Sequence, residues 1–354
     1  MSTVPRVSTT VIEVGTSPHL HAERTVDQIM RNVVYAMLPV CLYGVYLFGL
    51  SAAAVLATST ATCLATEHLI CRMSKRESSV GDYSAIITGM LLGLALPPGF
   101  PLWMTVVGGI IAVAPGKMLF GGLGFNVFNP ALVGRAFLQA AFPAAIMSYT
   151  PPLIPSRFGE FIPSTLAFPL MKSPPLTQWL AHSSPDGLTG ATPLTLQKFD
   201  HVGSDLWRLF LGERAGSIGE TFAILIALCG LYLIIRGMMD WRITASMLLS
   251  AAVVSAVFHA VDPANYPSPA FAILSGGLML GAVFMATDPV SSPVTPRGMW
   301  IYGAVMGLIA VLIRLLGGLA EGVMYAILLG NAISPLIDRL TQPRTYGELP
   351  RGAK

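Results

Sequence analysis

Apolar residues run along this chain in long blocks, with little of the alternation that marks a half-buried strand or the stripe that marks a soluble amphipathic helix. A helix needs about 20 apolar residues to cross the hydrocarbon of a bilayer. Ten blocks approach that requirement: residues 32–50, 51–71, 83–97, 100–122, 124–146, 217–236, 240–260, 268–287, 298–316 and 318–336. The third is short and bounded by Pro97 and Pro98, so a broken or re-entrant helix is expected there. The pattern predicts an all-α integral membrane protein of about ten transmembrane helices.

The polar segments between the blocks set its orientation. Basic residues in tails and short loops favour the cytoplasmic side. With a cytoplasmic N-terminus, that side holds Arg6, Arg24, Arg31, Arg72, Lys75, Arg76, Lys117, Arg236, Arg242, Arg297, Arg339, Arg344, Arg351 and Lys354. The short loops on the other side hold only Arg314. This division gives a cytoplasmic tail at 1–31, five spans at 32–146, an extracytoplasmic segment at 147–216, five more spans at 217–336 and a cytoplasmic tail at 337–354. Segment 147–216 is rich in proline and too long for a tight turn, and such loops commonly carry function. Its Phe158, Phe161, Phe168, Trp179, Trp207 and Phe210 lead us to expect partial folding, against a partner.

Composition agrees with the pattern. Of 354 residues, 53% are hydrophobic and only 11% charged. Mean hydropathy is +0.66. Soluble domains are typically about a quarter charged, so lipid must supply much of the solvent. A net charge of +3, with its basic residues beside apolar runs, argues against a nucleic-acid partner. Cys41, Cys63, Cys71 and Cys229 lie in apolar segments without ligand spacing and read as small hydrophobes, so no metal site is expected. The polar opening lacks the apolar stretch and cleavage site of a signal peptide and is expected to stay attached.

The two halves resemble each other. LLGLALPPGFPLWMTVVGGIIAVAPGKMLFGGLGFNVFNPALVGR, starting at Leu91, has a counterpart in LGAVFMATDPVSSPVTPRGMWIYGAVMGLIAVLIRLLGG and NAISPLIDR, starting at Leu280. Each has a Gly-rich helix, a Pro-interrupted stretch, a Trp-led helix and an Asn ahead of a Pro, at Asn129-Pro130 and at Asn331 to Pro335. Five spans plus five place the halves in opposite orientations, an inverted repeat. Such repeats with broken helices often build a midplane site for an ion or substrate. Duplicated, proline-bent helices that merely pack together give the same pattern.

Within 147–216, Asp186 to Leu194 reads DGLTGATPL. Taken alone it is a turn presenting the hydroxyls of Thr189, Thr192 and Thr195. The longer pattern resembles the flavinylation signature Asp-x-x-Ser/Thr-x-Ala-Thr of the Rnf and Na⁺-pumping NADH:quinone reductase families. Asp186, Thr189, Ala191 and Thr192 fill its fixed places, with Gly190 between. FGGLGFNVFNPALVGRAF, ATDPVSSPVTPRG, RLLGGLAEGVMYAILLGNAISPLIDR and the opening Ser17-Pro18-His19 extend the likeness to the NqrB/RnfD family over nearly the whole chain.

The resemblance implies an electron-transport subunit in a bacterial inner membrane, with FMN joined to Thr192 by a phosphoester after action of a flavin transferase. It implies partnership with RnfA, RnfB, RnfC, RnfE and RnfG, coupling electron flow between ferredoxin and NAD to movement of Na⁺ or H⁺, with RnfG delivering electrons. It leaves open whether riboflavin, a second flavin known in NqrB, also occurs. The short opening before the first span favours the Rnf branch. A flavin-free channel or secondary transporter and an NqrB-like quinone-reductase subunit remain the alternatives. No catalytic acid, base or nucleophile is expected, since flavin-to-flavin transfer needs only close approach.

Arg135 falls near the middle of the fifth block, where an unpaired charge is costly. It is a candidate partner for a flavin phosphate or ring edge, for a carboxylate such as Asp288, or for a carbonyl. Glu67, His68 and Asp288 are candidates for an ion path or for the cytoplasmic interface. Asn129 and Asn331 are expected to cap broken helices. No metal spacing is found among His19, His21, His182, His201 and His259.

Overall fold

The computed structural model describes residues 25–75, 79–169, 171, 179, 191–200, 205–212, 214–220, 222–263 and 265–343. No strand occurs among them. The elements that position the site are α1 (Val26–Phe48), α2 (Leu50–Met73), α3 (Ser84–Leu94), α4 (Leu102–Val113), α5 (Pro130–Ala141), α6 (Pro193–Asp200), α7 (Leu206–Leu211), α8 (Ala223–Ile235), α9 (Trp241–Val261), α10 (Pro269–Leu274), α11 (Pro296–Leu316) and α12 (Val323–Thr341). Six helical stretches are long and apolar enough to cross a membrane: α1, α2, Leu102–Phe120, α9, α11 and α12. The chain is therefore a multi-pass membrane protein.

The remaining blocks are shorter than their apolar lengths, each for a local reason. Pro97, Pro98 and Gly99 stop α3 after 11 residues. The fifth block starts late, because Asn129 accepts from Ala131 N and Pro130 takes the first helical position, so 124–129 stay irregular. The sixth block becomes the 13-residue α8. The eighth is not one helix. α10 ends at Ser275, Gly276 turns the chain at φ 64°, and a short helical stretch passes into a π-turn at Gly281–Met285. The tenth begins five residues later than its apolar edge, at Val323.

Packing follows the same order in both halves. α2 lies on α3 and α4, and α9 lies on α10 and α11; α4 then pairs with α5 as α11 pairs with α12. The halves meet where Asn331, satisfied at both ends of its amide, accepts Asn129 N–H at 2.9 Å and donates to the Tyr302 hydroxyl at 2.6 Å. Asn129 caps α5, as expected, and also donates to Met285 O at 3.3 Å. Asn331 lies inside α12 and caps nothing, contrary to expectation.

The start of segment 147–216 folds onto its own chain. Leu153 N donates to Leu47 O, Leu50 N to Arg157 O and Leu102 N to Thr165 O, while Ile154 and Ile162 are buried. These bonds close backbone groups at the ends of α1, α2 and α4. All four cysteines are free and buried.

Lys117 is not a loop charge. It is 1% exposed, and its Nζ lies 2.7 Å from Glu67 Oε2 and 2.5 Å from Ser84 Oγ; Ser79 donates to the other Glu67 oxygen. Glu67 is fully buried and His68 exposed, so the two neighbours separate. Removing one member of a buried pair strands the other charge, at about 3–5 kcal/mol. Lys117→Met is therefore expected to lower the melting temperature in detergent markedly. Lys117→Met with Glu67→Gln should recover most of the loss, and an equal loss in the double variant would assign the effect to packing instead.

Candidate functional site

Thr192 stands at the start of α6. Its Oγ1 accepts from Thr195 N at 3.2 Å and shares a hydrogen bond with Thr195 Oγ1 at 2.8 Å, while its carbonyl accepts from Leu196 N. With Pro193 next, this is an N-cap followed by proline at the first helical position, the arrangement that Thr-Pro favours locally. Ala191 lies beside it, half-buried. Asp186, Thr189 and Gly190 lie outside the described residues.

Two contacts hold α6 against the bundle. Leu194 packs with Leu209 of α7 and Phe271 of α10. Lys198 Nζ donates to the carbonyls of Arg314 and Leu319, each at 2.8 Å, and to that of Gly317. Those carbonyls end α11 and open the turn into α12, where cations are favoured. Burial holds the Lys198 ammonium below the ordinary lysine range. Lys198→Met should free α6 from that turn. The expected result is faster amide exchange and easier proteolysis around Thr192, with the bundle's melting temperature nearly unchanged.

Below Thr192 lies a cavity of about 350 Å³ whose lining includes Arg135, Tyr149, Thr192, Phe199, Glu321 and Tyr325. A smaller one, about 30 Å³, touches Thr192, Arg214, Glu220, Gly276 and Glu321. Arg135 Nη2 is 2.5 Å from Glu321 Oε2 and 3.6 Å from Glu220 Oε1, all three side chains being largely buried. Arg135 thus pairs with glutamates on the same side as Thr192. Asp288, the partner offered from sequence, instead accepts from Val290 N and the Ser291 hydroxyl. Burial beside Glu321 and Glu220 pushes the Tyr149 phenol up, so it keeps its proton.

The charges in this cluster answer to the broken helix. Where α10 stops, the carbonyls of Ala272 and Ser275 accept from Arg314 at 2.7 and 3.1 Å. Where the chain resumes, Gly277 N donates to Glu321 Oε1 at 3.0 Å. Away from water, orphaned backbone groups need such partners. Gly276 must be glycine twice over: its φ is positive, and a Cβ there would sit 2.5 Å from Leu194 Cδ1 and 2.8 Å from Glu321 Oε1. The break, the acid and the helix carrying Thr192 therefore meet at one point.

Glu220, Glu321, Lys198 and Gly276 were not singled out from sequence. The signal for the two glutamates was an acid at the fourth position of each of two apolar blocks, 217–236 and 318–336, with a mid-span arginine elsewhere in need of a partner. No group of three or more His, Cys, Asp or Glu that could hold a metal exists among the described residues.

A multi-pass helical membrane protein with broken helices around a buried charge cluster, and a hydroxyl-bearing helix over a cavity, is the class that this geometry defines. Residues 13–347 match the family model described as NQR2, RnfD, RnfE, and the chain belongs to that family. It is 41% identical to the D-type subunit of the Na(+)-translocating ferredoxin:NAD(+) oxidoreductase complex of Acetobacterium woodii, covering 95% of each chain. It is 35% identical to the D-type subunit of the proton-translocating ferredoxin:NAD(+) oxidoreductase complex of Clostridium ljungdahlii, over 97% of this chain and 98% of that one. A third relative, the D-type subunit of the ion-translocating oxidoreductase complex of Halorhodospira halophila, is 36% identical over 96% and 97%.

Proposed function

We propose that this chain is the D-type membrane subunit of an ion-translocating ferredoxin:NAD oxidoreductase complex, carrying FMN as a phosphoester on Thr192. The observation that carries the proposal is the likeness, near full length, to relatives whose names state that role, in a chain that also holds DGLTGATPL. One relative's name states Na⁺ and another's the proton, so the likeness does not choose the ion.

The residues fit the group. Thr192 borders a cavity of about 350 Å³, within the usual range of about 300–1,000 Å³ for ligand pockets. A phosphate on that oxygen meets the positive end of α6, where helix N–H groups favour anions. Arg135 Nε is buried without a partner, a donor still in need of an acceptor. The flavin, once bound, supplies the one- and two-electron chemistry. Of the chain's own groups, Thr192 anchors, Phe199 and Tyr325 give aromatic wall, Arg135 gives positive charge, and Leu194 with Lys198 holds the anchor in place.

In this reading the halves form inverted repeats of five spans at 32–146 and 217–336, which the matching order of helix packing supports. Both termini face the cytoplasm, with Thr192 outside it, in a bacterial inner membrane. RnfG hands electrons toward Thr192, and RnfA, RnfB, RnfC and RnfE complete the complex; a riboflavin would be a separate site. Mass spectrometry of the peptide spanning 186–194, from cells with an active flavin transferase, tests the proposal. Added FMN on Thr192 is expected. Unmodified peptide would favour a flavin-free transporter.

A further inference from the structure

Beneath Thr192 two buried carboxyls compete for one guanidinium. Glu321 has the better place, with Arg135 Nη2 at 2.5 Å from one oxygen and Gly277 N at 3.0 Å from the other. Glu220 has the poorer. Among the described residues its Oε1 meets no donor within hydrogen-bond reach and stands 3.6 Å from the same arginine nitrogen. Its Oε2 receives one long 3.4 Å bond from Ser217 N, and the Glu321 carboxyl lies beside it. The other groups facing it do not compensate. Arg314 is committed to the carbonyls of Ala272 and Ser275, Tyr149 is a neutral phenol, and Arg214 borders the small cavity without an ion pair to either carboxyl.

Two neighbouring carboxylates in a dry site cannot both stay charged cheaply, and the less well solvated one keeps a proton. Glu220 also has a route to exchange it. The cavity of about 30 Å³ that it shares with Thr192 and Arg214 is large enough for a water. The larger cavity begins at Glu321 and Thr192, immediately alongside.

We infer that Glu220 holds a proton at neutral pH and releases it to the redox group beside Thr192 as an electron arrives, regaining one from extracytoplasmic water. The second half rests on the flavin reading of Thr192. One electron enters from a reduced flavin donor on a partner subunit, and one proton leaves Glu220 for the carrier. One proton from water restores Glu220, so the buried site gains no net charge. An uncompensated electron in a low-dielectric pocket would be repelled by Glu321 and by the phosphoester.

Two measurements test the halves separately. In flavin-free Thr192→Val protein, infrared spectroscopy should detect the C=O stretch of a protonated carboxylic acid that shifts in D₂O. The band should vanish when Glu220→Gln is added and return, displaced, with Glu220→Asp. Absence of the band in the parent, or its persistence with Glu220→Gln, overturns the proton assignment. Should Glu220→Gln fail to assemble, a band that does not move in Glu220→Asp overturns it equally. In flavinylated protein, the midpoint potential of the covalent flavin should follow pH with one proton per electron, and with none in Glu220→Gln. An unchanged slope overturns the coupling. An acid band in a chain that never acquires flavin overturns the flavin reading and the coupling, while the proton on Glu220 stands.

Discussion

Replacing Thr192 by valine is expected to abolish covalent flavin entirely. On a denaturing gel under ultraviolet light the wild-type band should fluoresce and the Thr192→Val band should be dark, at equal protein. The substitution keeps the branched shape and removes only the hydroxyl, so the lost chemistry is the ester oxygen alone. Its structural cost is that of an N-cap, about 1 kcal/mol, because Thr195 N loses its acceptor. That is small for a bundle of this size, and the protein should still reach the membrane. Thr195→Ala separates the neighbouring hydroxyl: it removes the 2.8 Å partner of Thr192 Oγ1 but leaves the acceptor, so fluorescence should persist. A bright band in Thr192→Val would move the attachment elsewhere.

Arg135→Met is expected to be the most destabilising single change at the site. It strands the Glu321 carboxylate, largely buried, at about 3–5 kcal/mol for a broken buried pair, and leaves Glu220 without its nearest cation. Glu321 retains Gly277 N and the nearby charge of Arg314, but loses its direct ion pair. Thermal unfolding in detergent should shift down sharply, and yield should fall. Combining Arg135→Met with Glu220→Gln and Glu321→Gln removes the stranded charge and should restore much of the stability. If the triple variant melts as low as the single one, the arginine stem's packing is what matters.

The lipid solvent, the all-helical class and the position of most long helices were legible in the sequence, because 20-residue apolar blocks have one cheap solution in a bilayer. Thr192 was marked out by a motif, and the structure places it at the start of α6 beside a cavity. The ends of the short helices were less so. Hydropathy sees 268–287 as one block, since Ser275, Gly276 and Gly277 scarcely lower it; only the positive φ of Gly276 and the side chains that serve the broken ends divide it. For the same reason Arg314 read as an outside loop charge, although it is 5% exposed and caps α10. Lys117 misled in the same direction, because a count of basic residues does not know that Glu67 waits for one of them. Arg135 was correctly marked as needing a partner. Its partners lie 85 and 186 residues away, at positions 220 and 321, a pairing that no local pattern encodes.

The short helices bear on how the chain enters its membrane. At 1.5 Å per residue, the 11 residues of α3 and the 13 of α8 reach about 16 and 20 Å, well under the 30 Å of hydrocarbon. Neither can rest alone in lipid as it leaves the insertion machinery. Each needs shelter against a longer neighbour, and both neighbours are made first: α3 emerges after α2, and α8 emerges after α1, to which Tyr232 ties it through Asn32. The second half therefore cannot be completed without the first, because α8 finds its cover on a helix of the opposite half.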